Sequence, residues 1–396
     1  MARFGDGLAT DADLVAAAER AARQAIEPLA GRTPDLACVF VCGSDDVESA
    51  GLRAAELTGA RQVIGCTGTG VIGAGRGVEG TSAVAVWAGV LPGVRIRTFH
   101  LEVMRADEGF AVVGLPERTD ADAVVILLAD PYSFPVDGFV AQSNSALRGL
   151  PFVGGLASGS GGAGSARLFV DDRVVGRGAV GAVLGGPVGA RSLVSQGCRP
   201  VGPEMIVTSA DANAILELAG MPALTKLESI VAGLGVVEQA LVSEGLQLGV
   251  VIDEYAENHE RGDFLVRGIV GADRDRQALL VADLVEVGRT VRFQVRDADS
   301  ADEDLRELLA GFRADPSFDT VEGALLFSCN GRGARLFPTA DHDVELVRRG
   351  LATSGVGGFF AAGEIGPVGG RNYLHGFTAS VLAFGSGPTA ARGTGG

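Results

Sequence analysis

The stretch LLFSCNGRG, residues 325–333, runs an apolar, strand-like segment into a glycine-punctuated turn carrying a cysteine, an asparagine and an arginine in close succession. Glycine makes up 60 of the 396 residues, about twice the usual ~7%, and it gathers just after apolar runs, as turn residues do. Working outward from residue 325, the same order of strand, helix, strand and strand recurs three times. In the third copy GALLFSCNGRG is followed by a helix near 342–353, then GGFFAAGEIGPVGG and HGFTASVLAFG. The first copy reads LACVFVCGSDD, a helix over roughly 46–59, RQVIGCTGTG and TSAVAVWAG. The second reads DAVVILLADPYSFP, a helix near 135–148, LPFVGGLASGS and GRGAVGAVLGG.

A strand that reaches its successor through a helix lies parallel to it, and a short glycine-rich return makes an antiparallel neighbour. The expected fold class is therefore α/β (α+β), with mixed β-sheets flanked by helices and built from repeated strand-helix-strand-strand units. A chain of this length exceeds what one core carries, so two domains are expected, with a boundary near 220–230. Between the second and third copies, ANAILELAGMPALTKLESIVAGL has helical spacing broken at Gly220, Met221 and Pro222. Beyond it, strands alternate with charged turns, and SADEDLRELLAGFR reads as an amphipathic helix with Ser300 as its N-cap.

Composition excludes several classes. The net charge is −16 and Lys226 is the sole lysine, which disfavours nucleic acid and anionic membrane surfaces as partners. The longest compact apolar run, AVVILLA at 123–129, has strand length, short of the ~18 residues of a membrane span. The acidic start MARFGDGLATDADL is unlike a signal peptide. Five cysteines without a CxxC pair suit reduced thiols. A cytoplasmic location follows as an expectation.

Chemistry-bearing motifs are sparse. GTGVIG at 68–73 matches GxGxxG, but it runs on into another strand instead of opening the helix a pyrophosphate needs. No HExxH, EF-hand or P-loop spacing occurs, so no metal site is expected. Cys329, Cys42, Cys66 and Ser158 stand at or near strand ends as candidate nucleophiles, while Cys38 reads as core. Of the four histidines, His342 falls where a helix should start, which suggests an exposed first turn. His375, beside Gly376 and near Arg371 and Asn372, is the better functional candidate. A lone axial histidine suffices for a haem.

Polar residues accumulate at the predicted strand ends: Thr67, Thr69, Asp130, Arg199, Cys329, Asn330, Arg332, Glu364, Arg371 and Asn372. In α/β sheets ligands bind beyond the carboxyl ends of parallel strands, where glycine lets the backbone come close. Arginine among hydroxyls and amides suits a small zwitterion or carboxylate. With His375 added and Asp130 left aside, these residues form the expected ligand set, with Asn330 and Arg332 favoured over Cys329 as pocket residues.

GCTGTGVIGAGRGVEG, FVGGLASG, SQGCRPVGP, FLVRGIVGAD, LLFSCNGRG and GGFFAAGEIGPVGGRNYLHGFTAS, in that order, resemble the FIST family over roughly residues 30–385. The resemblance implies a FIST N-terminal-like domain over 1–225 and a FIST C-terminal-like domain over 226–396. It also implies a sensory module for small ligands, amino acids being the usual suggestion, acting in signal transduction. Some bacterial members are haem-binding gas sensors, which the resemblance keeps as an alternative. The flanks show no F-box, kinase, receiver or methyl-accepting segment, so a signalling protein partner is expected. A further alternative is a cysteine-dependent enzyme on a small acyl or amide substrate, with Cys329 beside Gly331 and Gly333 as its nucleophile.

Overall fold

The computed structural model describes residues 1–106, 109–159, 161–256, 258–259, 262–315 and 320–386. The chain forms two compact units. The first contains Met1–Val194, Leu305–Leu374 and Thr378–Gly396; the second contains Ser195–Asp304 and His375–Phe377. Packing thus groups the chain by a different rule from segment order. The third repeat, which lies in the 226–396 segment, is built into one body with the two repeats of the 1–225 segment.

The three repeats form three sheets in the first unit, each with the predicted order. The opening strands are Leu36–Cys42, Asp122–Ala129 and Thr320–Cys329, followed by the helices Val47–Thr58, Val136–Ala146 and His342–Leu351. The second strands, Val63–Thr67, Phe152–Leu156 and Val356–Ala361, lie parallel to the first. The closing strands, Ala83–Val90, Ala179–Gly185 and Thr378–Ser386, return antiparallel on the other side. The sheets are mixed and helix-flanked, as the spacing requires.

Three hairpins that read as glycine-rich turns do not stay with their own repeats. The hairpin of Gly70–Gly73 and Arg76–Glu79, from the first repeat, extends the sheet of the third by pairing with Val356–Ala361. Leu168–Val170 and Arg173–Val175, from the second, extend the sheet of the first. Glu364–Val368 and Arg371–His375, from the third, extend the sheet of the second. The second strand of each repeat, which would otherwise be an edge, is covered by the neighbour's hairpin, and its ladder is not left open to other chains. The exchange is cyclic and ties all three sheets together.

Period-two alternation divides the core. Leu36, Cys38, Phe40, Val124, Ile126, Leu128, Leu325 and Phe327 face a shared central cluster. Their intervening neighbours face outward under helices, Val39 in one cluster, Leu127 in another and Leu326 in a third. Strands buried on both faces read as nearly continuous apolar runs, which is why they stand out in the sequence. Helix Leu14–Ile26 is capped by Asp13, whose carboxylate accepts from the N–H groups of Val15 and Ala16 at 3.0 and 3.1 Å. Beyond Leu14, its buried residues are all alanine. It sits so close to the first strand that a Cβ at Gly7 would lie 2.2 Å from the carbonyl oxygen of Ala21.

The second unit is an antiparallel sheet closed on itself. Cys198–Asp211 pairs with Thr290–Arg296 along its first part and with Ala214–Leu218 along its last, and Leu246–Val251, Phe264–Asp273 and Ala278–Val281 complete the ring. Val207, Ile215, Leu248, Leu279, Val291 and Phe293 are among the residues filling it. Two readings are corrected here. Ala214–Leu218 is a strand, and helix begins only at Ala223. Ala219 and Gly220 adopt positive φ in the turn between, and pairing on both sides of the strand overrides the local helical spacing. The helix expected to start at Ser300 begins at Ala298, and the Ser300 hydroxyl donates to Asp297 at 2.6 Å.

Candidate functional site

Three glycines align the repeats residue by residue. Gly65 stands opposite Val39, Gly154 opposite Leu127 and Gly358 opposite Leu326. A Cβ on each would lie 2.1, 1.9 and 1.7 Å from the facing carbonyl oxygen, so only glycine fits. Three residues beyond each facing residue stand Cys42, Asp130 and Cys329. By alternation all three point toward the end of the central core, at the carboxyl ends of the parallel strands.

The ends of the second strands meet there. The Ser158 N–H donates to the Thr67 carbonyl at 3.1 Å, and the Ala362 N–H donates to the Leu156 carbonyl at 3.0 Å. The Thr69 N–H donates to Ser158 Oγ at 3.0 Å, and the Thr69 hydroxyl donates to Asn330 Oδ1 at 2.6 Å. One residue from each repeat thus joins a chain of contacts at this mouth. Thr69 is exposed and Asn330 and Ser158 are half-buried.

Beneath this rim lies a buried polar group. The exchanged hairpins place Val71, Leu168 and Glu364 at equivalent positions, opposite Phe359, Cys66 and Gly155. Val71 and Leu168 belong to the central apolar cluster. Glu364 is fully buried at the same point. Its Oε2 accepts from the Thr378 hydroxyl at 2.8 Å and the Thr378 N–H at 3.1 Å. Its Oε1 has no hydrogen-bond partner among the described residues. Burial pushes the Glu364 carboxyl up to about 8, against the opposing pull of Thr378, the Cys329 thiol and the charge of Arg332. Near neutral pH it holds a proton.

The turn of residues 329–333 is fixed from two sides. The Asn330 N–H donates to the Ala361 carbonyl at 2.8 Å, and Glu79 of the first repeat's hairpin accepts from the Ala334 N–H at 2.8 Å. The Gly331 N–H points at Cys329 Sγ at 3.4 Å. Arg332 is fully buried and binds Asp343 through Nε at 2.7 Å and Nη2 at 2.9 Å. Asp343 also accepts from the Ser328 hydroxyl at 2.7 Å. Burial resists ionisation of Asp343, but the charge and hydrogen bonds of Arg332 outweigh it and hold the carboxyl well below its usual range. The fork that suited a ligand carboxylate is therefore committed within the protein. Asp343 and Thr378 were absent from the expected residues, and Ser158 was expected as a candidate nucleophile and not as a ligand contact; a buried arginine in a strand-end turn is the signal that a nearby carboxylate must exist.

The predicted residues thus sort by place. Cys329, Asn330, Arg332, Glu364 and Thr69 come together. Thr67 is spent on Arg167, whose N–H donates to its hydroxyl at 2.9 Å. Asn372 brackets the second repeat, accepting from the Phe152 N–H at 2.9 Å and donating to the Leu150 carbonyl at 3.0 Å. Arg371 is exposed at the hairpin turn. Arg199 lies in the second unit, paired with Asp297 at 3.1 Å and Glu238 at 3.2 Å. His375 is buried and belongs to the second unit. His342 begins its helix but is not exposed: it stacks on Phe337 and contacts Asp343 at 2.9 Å. Cys38 is core, as its alternation suggests, and burial pushes the Cys42 thiol up.

Surface cavities of about 580, 180 and 640 Å³ are lined by residues other than this cluster, and none includes a histidine. Among the described residues no group of three histidine, cysteine, aspartate or glutamate side chains is arranged for a metal ion, and no helix is long and apolar enough to cross a membrane.

Residues 35–221 match the FIST N domain and residues 223–367 the FIST C domain. The chain is 44% identical over 384 residues to Rv0628c, an uncharacterized protein of Mycobacterium tuberculosis strain H37Rv, covering 96% of this chain and 99% of the relative. Mb0898c, an uncharacterized protein of Mycobacterium bovis, is 42% identical over 384 residues, covering 96% of this chain and 98% of its own length.

Proposed function

The chain belongs to the FIST family, with a FIST N domain followed by a FIST C domain, and from that premise we propose that it is a cytoplasmic sensory protein for a small polar metabolite, amino acids included. The ligand binds at the mouth of the three-sheet core, and the signal passes through a protein partner. The observation that carries this reading is the meeting of strand ends from all three repeats around a buried carboxyl with an unpartnered oxygen. Buried polar atoms are ordinarily satisfied, so an orphan at the carboxyl ends of parallel strands marks a place prepared for a partner. The polar rim of Thr69, Asn330 and Ser158 supplies neutral donors and acceptors that orient a small molecule without demanding a particular charge.

Thermal-shift screening against amino acids and central metabolites tests it. A ligand present at 100 times its Kd stabilises the folded state by about 2.7 kcal/mol, a readily measured rise in Tm. Thr69→Val, at an exposed position, should fold normally and lose most of that rise. A broad metabolite panel at millimolar concentration that leaves Tm unmoved overturns the reading.

A further inference from the structure

We propose that the ligand presents an ammonium group to Glu364 Oε1, and that binding expels one proton from the site. The inference rests on the reading of the mouth as a ligand site and specifies the chemistry that enters it. Three equivalent hairpin positions face the central core, and two of them carry Val71 and Leu168. An apolar residue therefore satisfies the fold at this point, and the glutamate in the third hairpin serves something other than packing. Its two oxygens are treated differently. Oε2 is saturated by the hydroxyl and N–H of Thr378, whereas the equally buried Oε1 has no hydrogen-bond partner among the described residues.

Charge selects the ligand class. A carboxylate ligand needs a cation here, and the buried candidate, Arg332, has Nε and Nη2 bound to Asp343. Arg371 stands at the turn, the opposite end of the hairpin from Glu364. The buried acid instead offers an acceptor to a donor-rich cation, and an ammonium group has three donors and no acceptor. Above it, Asn330 and Thr69 can take the remaining polar atoms of the ligand.

The Cys329 thiol and the Arg332 guanidinium, both from the strand and turn of the third repeat, act on Glu364, and Cys42 and Asp130 point toward the same end of the core from the first and second repeats. Thr378 contributes neutral donors only. The free site holds a protonated acid near neutral pH, because burial raises the carboxyl to about 8. An ammonium ion arriving already charged pairs with the carboxylate, and the displaced proton passes to solvent. Below about 8 the logarithm of affinity then rises by about one per pH unit, and above it the affinity levels off.

Titration calorimetry on the full chain, with n-propylammonium chloride, n-propanol and sodium propionate as size-matched probes, tests this at about pH 7 in two buffers of different ionisation enthalpy. The expected result is that the ammonium probe binds preferentially and releases about one proton per bound molecule. Glu364→Gln should weaken that binding at least about tenfold and abolish the proton release. Glu364→Val, which copies Val71, checks that loss of binding does not reflect loss of fold. Preferential binding of propionate or propanol overturns the ammonium assignment, as does ammonium binding that is unchanged in Glu364→Gln or without proton release. In each of those cases the mouth itself survives as a binding site. The same criteria apply to any compound returned by the metabolite panel; if neither probes nor panel bind the wild-type chain, both readings fall.

Discussion

Glu364 shows how one substitution in a repeated framework changes chemistry without changing the fold. Val71 and Leu168 occupy its counterparts, so the backbone accepts an apolar side chain there. The consequence for stability has a definite sign. The folded-state value of about 8 lies above the ordinary 4.5, so the folded state binds the extra proton. Stability from this group is fully present below pH 4.5 and is lost as pH rises to about 8. Asp6, raised by burial to about 6 against the N–H of Ala74 and the charge of Arg348, adds a loss of the same sign that ends earlier. Urea unfolding between about pH 6 and 8 should therefore fall by up to ~1.4 kcal/mol per pH unit more steeply in wild type than in Glu364→Gln. Parallel curves would show that Glu364 is ionised in the folded protein. The glutamate is visible in the sequence, but its burial is not: local alternation places it on a strand without revealing which sheet that strand joins.

The exchanged hairpin is the element that makes the site. GTGVIG at 68–73 carries the dinucleotide fingerprint but leads into Gly70–Gly73 and Arg76–Glu79, a β-hairpin that covers the edge of Val356–Ala361. It is held by the third repeat, with Asp341 accepting from the Gly77 N–H at 2.8 Å and Glu79 accepting from the Ala334 N–H at 2.8 Å. Replacing residues 70–79 with a short flexible linker should expose that edge strand and free the turn around Arg332. Size-exclusion chromatography should then show oligomers or aggregate; a variant that elutes as wild type does would mean the edge is protected by something else. The strand-helix-strand-strand order is legible because it depends on hydrophobic period and turn residues close in sequence. The hairpin's destination is not, because any open edge offers the same N–H and C=O ladder.

At the scale of the whole molecule, the two compact units each have cores of their own. The main segment of the second unit lies between the second and third repeats, entering after Val194 and leaving at Asp304, and His375–Phe377 joins it from within the third repeat. Its sheet closes on itself, which leaves no edge for another part of the chain to complete. A fragment of residues 195–304 should accordingly fold alone, with a strand-rich circular dichroism spectrum and a cooperative melt. A spectrum of unfolded chain would show that the ring depends on the remainder of the protein. The sequence by itself determined the repeats, the mixed sheets and the strand-end turns, since side-chain period, glycine placement and helix length are local properties. Only the tertiary structure decided which repeat covers which edge, that Arg332 is bound to Asp343, and that Glu364 is buried with its Oε1 lacking a hydrogen-bond partner among the described residues. Those outcomes depend on groups far apart in the chain, whose pairing is selected by burial of the whole core and not by the residues adjacent to them.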